Sequence, residues 1–68
     1  MIQNDVELQT TFERIGRFQQ QVVHLRKVEA NATNYRLSAS GFLAEIDRMQ
    51  LEVREYLSLH PSDLKKGA

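Results

Sequence analysis

The stretch Tyr35–Tyr56, YRLSASGFLAEIDRMQLEVREY, decides the fold. Within it Tyr35, Ala39, Phe42, Ile46, Met49, Val53 and Tyr56 recur in steps of 4, 3, 4, 3, 4 and 3. Alternating steps of three and four return to one side of an α-helix, whereas a half-buried strand needs a period of two. The spacing predicts a long helix with a heptad seam, the pattern that packs one helix along another. Pro61 is the sole proline and pushes the residue before it off helical angles, so the helix should end near Leu59 or His60. Two beginnings are open. Asn31, Thr33 or Asn34 can cap a long helix that starts near residue 33. Ser38 or Ser40 can cap a shorter one starting near Ala39, because Ser38-Ala39-Ser40-Gly41 is a weak helix former. The seam already begins at Tyr35, which favours the long version.

Upstream, Leu8, Phe12, Ile15, Phe18, Val22 and Leu25 also fall on one side of a helix. Asn4 or Asp5 suits its N-cap, and Asp5 and Glu7 suit the positive end of the helix dipole. Arg26 and Lys27 fall in the last turn, where cations are favoured. The run Glu29-Ala30-Asn31-Ala32-Thr33-Asn34 breaks the pattern, and its Asn and Thr side chains can bond to nearby backbone, so it reads as the connecting turn. A short turn makes consecutive helices antiparallel neighbours. The predicted fold is all-α: a two-helix antiparallel hairpin over residues 1–60, with helices at about 5–29 and 33–59. Residues 61–68 are polar, end Lys65-Lys66-Gly67-Ala68, and read as a flexible tail.

The chain has 68 residues and no cysteine, so neither a large core nor disulfides can stabilise it. Oligomerisation is the remaining way to bury more surface. The sequence offers apolar residues outside the seam for this. Leu37, Ala44 and Leu51 repeat every seven residues, Leu43 and Leu57 flank the seam, and Val23 widens the apolar arc of the first helix. Two hairpins pairing into a four-helix bundle with two-fold symmetry would cover such a stripe, so a homodimer is expected. The competing reading is that these are isolated surface leucines, which are common.

Other residues carry little chemistry. Nine basic residues balance nine acidic ones, which argues against binding to nucleic acid or an anionic membrane surface. No apolar run reaches the ~18 residues of a membrane span. No basic start followed by an apolar core suggests a signal peptide, so a cytoplasmic location is expected. His24 and His60 lack companion ligands at metal spacing. Glu45 and Glu52 sit three and four residues from Arg48, as Glu13 does from Arg17, and read as solvated helix pairs rather than acid–base carboxylates. A Gly-rich phosphate loop and a nucleophile with an evident base are both missing. No catalytic, cofactor or metal residues are assigned, and the chain is expected not to be an enzyme. Gly16 reads as a point of close helix approach, which Gly41 on the other helix could serve similarly, the other reading being simple tolerance of a mid-helix glycine.

Two segments resemble a known architecture: Met1-Ile2-Gln3-Asn4-Asp5 with Thr10, Thr11 and Glu13–Phe18, and Phe42, Ile46, Met49 followed by Glu52-Val53-Arg54-Glu55-Tyr56. They are similar to the N-terminal helical hairpin that precedes the DNA-binding domain in some bacterial antitoxin-type helix-turn-helix regulators. The resemblance covers most of residues 1–57 and does not extend to the DNA-reading element, so operator binding is not carried over. It implies a dimerisation or partner-binding module, with a toxin as the protein partner. The functional expectation is thus a non-enzymatic interaction or dimerisation module. One alternative is a small nucleic-acid-associated protein using Arg14, Arg17, Arg26, Lys27 and Arg36; the other is an accessory subunit of an enzyme complex.

Overall fold

The computed structural model describes residues 1–66, with side chains described through Asp63. Two long helices, α1 (Asp5–Val28) and α2 (Ala32–Leu57), pack antiparallel as a hairpin, and a short helix, α3 (Pro61–Lys66), follows. The molecule is a rod of 51 × 16 × 13 Å.

Capping side chains set where each long helix begins. The Asn4 side chain accepts from the Glu7 backbone N–H at 2.8 Å, and the Glu7 carboxylate reaches back to accept from the Gln3 N–H at 2.7 Å. This reciprocal arrangement satisfies backbone donors that the first turn leaves without helical partners. Asn31 repeats the device on α2, its side chain accepting from the Asn34 N–H at 3.0 Å. The connecting turn is therefore shorter than the sequence suggests. Ala32, Thr33 and Asn34 belong to α2, and Glu29, Ala30 and Asn31 alone reverse the chain without any residue at positive φ. The long version of α2 is the one formed.

The α2 C-terminus differs from the expected end near residue 59. It stops at Leu57, where the Ser58 N–H donates to the Arg54 carbonyl and the Leu59 N–H to the Tyr56 carbonyl, tightening the last turn. The region expected to be a flexible tail forms α3 up to Lys66. His60 starts it: its N–H donates to the Asp63 carboxylate at 3.1 Å, while its carbonyl accepts from the Asp63 N–H at 2.8 Å. Pro61 at the first helical position needs no N–H partner there, which suits initiation. Gly67 and Ala68 lie outside the described residues.

Ile15, Ile46 and Met49 form the buried centre of the seam, with Phe18, Val22 and Val53 packed against them. The Phe18 and Phe42 rings meet edge to face, centroids 5.6 Å apart. Ala39 and Tyr56 are also buried, while Leu8, Leu25 and Tyr35 are half-buried. One predicted seam residue is misplaced. Phe12 is 43% exposed, and the neighbouring Thr11 is half-buried in its stead. With Thr11, the α1 seam reads Leu8, Thr11, Ile15, Phe18, Val22, Leu25, a strict 3-4-3-4-3 heptad that matches the α2 seam. Thr11 tolerates this place because its hydroxyl donates to the Glu7 carbonyl at 2.8 Å, leaving its methyl for the interface.

Ile2 is a core residue that periodicity could not reveal, since it precedes α1 and is nonetheless buried. Gly16 and Gly41 are not points of close approach within the hairpin: a Cβ at either would meet no atom within 4 Å.

The seam assignment predicts opposite effects for two substitutions. Ile46→Ala should destabilise the fold by about 2–4 kcal/mol in urea titrations followed by circular dichroism. Thr11→Leu should stabilise it by about 1 kcal/mol, because the added apolar volume enters the seam.

Candidate protein-binding surface

Facing pairs fix the register of the hairpin. Asp5 bonds Tyr56, Ile15 packs with Ile46 and Phe18 meets Phe42, so facing residue numbers total 60 or 61. Each helix then has three surfaces besides its seam. In a heptad labelled a to g with the seam at a and d, positions e and b lie to one side, g and c to the other, and f points directly away. Because the second helix runs backwards, the e positions of both helices flank the same broad face, and the g positions flank the opposite one.

These two broad faces differ in chemistry. The e/b face carries Phe12, Val23, Leu43 and Leu57, all of them exposed, together with Gly16 at the midpoint of α1. The g/c face is polar. There Arg48 bridges Glu45 and Glu52, and the Met1 amino nitrogen lies 3.7 Å from Glu52. The Arg48 guanidinium, by hydrogen bond and charge, holds the Glu45 carboxyl below its ordinary pKa, and Arg14 across the seam adds to the effect. The same carboxylates hold the Arg48 pKa above its ordinary value, the Glu45 hydrogen bond foremost.

The residues assigned to a partner-facing stripe therefore do not form one stripe. Val23, Leu43 and Leu57 belong to the e/b face. Leu37, Ala44 and Leu51 run along the f ridge, on the narrow edge of the rod, where Leu37 is 72% and Leu51 56% exposed. Of the other exposed valines, Val6 lies at an f position and Val28 at a g position, on the otherwise polar face beside the turn. Phe12 joins the surface from the seam. A strict heptad count on α1 would have placed it there, but counting any step of three or four as equivalent hid it.

Charge is distributed unevenly along the rod. At the turn end Arg17, Arg26, Lys27 and Arg36 face only Glu29. Toward the open end Asp5, Glu7, Glu13, Glu45, Asp47, Glu52 and Glu55 outnumber Arg14, Arg48 and Arg54. The Tyr56 hydroxyl donates to Asp5 Oδ1 at 2.6 Å, pinning the start of α1 to the end of α2. This hydrogen bond to a carboxylate raises the Tyr56 pKa, reinforced by burial and by the charges of Asp5 and Glu7.

The titratable side chains named as possible chemistry are dispersed. His24 is exposed near the turn, whereas His60 lies beyond the open end with its Nδ1 2.9 Å from the Ser62 hydroxyl. Among the described residues no three His, Cys, Asp or Glu side chains gather at metal-binding distance, and no helix is long and apolar enough to cross a membrane. A hollow beside Gly16, lined by Glu13, Arg17, Gln20 and Gln21, opens widely to solvent. Comparisons with known protein families, with curated proteins and with solved structures each returned no match.

The Tyr56 pKa gives a pH dependence. Folding favours the protonated phenol, so its contribution is complete below the ordinary tyrosine pKa of about 10 and is lost as pH rises through the higher folded value. Thermal midpoints measured from neutral to alkaline pH should fall above about pH 10. Tyr56→Phe should lower the neutral-pH midpoint and flatten that alkaline fall.

Proposed function

We propose that this chain is a protein–protein interaction module, and that self-association is its first use. The exposure of Phe12, Val23, Leu43 and Leu57 on one broad face supports this reading most directly. A two-helix rod buries one stripe per helix, and among the described residues the buried apolar set is small: Ile2, Ile15, Ala39, Ile46, Met49 and Tyr56. Large apolar side chains left outside that set gain from a partner that removes them from water, each fully buried one by about 1.5–3 kcal/mol. Large exposed apolar side chains gathered on one face, with polar residues such as Gln19, Asp47 and Gln50 among them, make a surface of the kind that proteins use for association. The polar g/c face opposite, with its carboxylates held by Arg48, would remain in water.

Static light scattering across micromolar concentrations checks this reading. The expected mass is twice that of the chain, with a thermal midpoint that rises with concentration because association is linked to folding. A well-folded monomer over the whole range would overturn self-association.

A further inference from the structure

We propose that a second copy of this chain covers the e/b face with the two hairpins running in opposite directions, so that each turn lies over the other copy's open end. This rests on the self-association reading and adds the face and the orientation. A two-fold axis crossing the rod near the level of Gly16 and Leu43 superposes α1 on α1 and α2 on α2, antiparallel. Residues equidistant from that axis on either side then face each other.

The apolar pattern on the face is self-complementary under this operation. Phe12 meets Val23 of the second copy, twice by symmetry. Leu43 meets its own counterpart near the axis. Gly16 lies within two residues of the axis and faces Gln19 of the second copy, in space that no atom of its own chain occupies. A mid-helix glycine costs about 1 kcal/mol relative to alanine, and close approach of a second α1 gives it a use. The charges agree. The basic turn end as a whole lies over the acidic open end, and Arg26 faces Gln9 of the second copy, one helical turn from Asp5. One like-charge approach arises, Arg36 toward Arg54 of the second copy, close to the rim, where both long side chains reach water.

The same face paired with both turns at one end does worse in apolar matching and gathers the two basic turn ends, although it brings Arg54 near Asp5 of the other copy. It stacks Arg26 on Arg36 of the other copy, twice, and sets Phe12 against Gln50 and Leu43 against Gln19. Like charges facing each other across an interface discriminate strongly against that arrangement.

The chain contains no cysteine, so a single introduced thiol reports cleanly. Ala30→Cys, in the turn, carries a nitroxide label for dipolar electron-spin distance measurement on the full chain. With the axis near residue 17 of α1 and 1.5 Å rise per residue, the antiparallel pair gives an inter-label distance of about 40 Å. A distance under about 20 Å means that both turns share one end, which overturns the orientation while leaving the dimer. Absence of dipolar coupling together with a monomer mass by light scattering overturns the self-association reading itself. A second comparison fixes the face. Leu43→Asp should give a folded monomer by circular dichroism and light scattering, whereas Leu51→Asp, on the f ridge, should leave the dimer intact. Dissociation by Leu51→Asp but not by Leu43→Asp would assign the interface to the narrow edge and overturn the proposal.

Discussion

Two helices lying side by side can touch along only one stripe each, and that geometric limit governs the whole structure. The stripe is filled by the facing heptads of α1 and α2, with Ala39, Met49 and Ile46 most deeply placed. Most other seam residues are only half-buried, because a rod 16 Å by 13 Å in section has no interior beyond the contact line. Stability must come from a long, regular seam rather than from depth, and the heptad provides that regularity. Its 3.5-residue period keeps the same face turned toward the partner along the full length of each helix.

The polar side chains have a different task. Apart from Tyr56–Asp5, the side-chain hydrogen bonds among the described residues join groups no more than four positions apart. They cap helices, close the turn at Glu29–Asn31 and start α3 at His60. Local hydrogen bonding sets where each helix begins and ends, and apolar packing sets which helix lies against which. Tyr56 serves both purposes, since its ring is buried in the seam and its hydroxyl ties the two chain-distant ends together.

The division of the surface follows from the seam. Once a and d positions are committed to the hairpin, e and b residues of both helices share one broad face and g and c residues the other. Arginine–carboxylate pairs occupy the second face, while Phe12, Val23, Leu43 and Leu57 occupy the first. The plate is thus asymmetric, with three of its large exposed apolar side chains flanking the seam at e positions of one side and Val28 alone on the other.

The amino-acid sequence by itself determined the α class, the two long helices and the seam of α2, because these depend on spacing, and it offered Asn4 and Asn31 among several candidate caps, between which the structure chose. It left the α1 seam one position adrift, since Phe12 is the larger apolar side chain and Thr11 shows its aptitude only when its hydroxyl is bonded to Glu7. It could not show Ile2, whose burial arises from how the segment before α1 lies and from no periodicity. Nor could it place Phe12 and Val23 of α1 on the same broad face as Leu43 and Leu57 of α2. Which residues share a side of a two-helix plate depends on the direction and register of the second helix, and only the packed pairs Asp5–Tyr56, Ile15–Ile46 and Phe18–Phe42 define those.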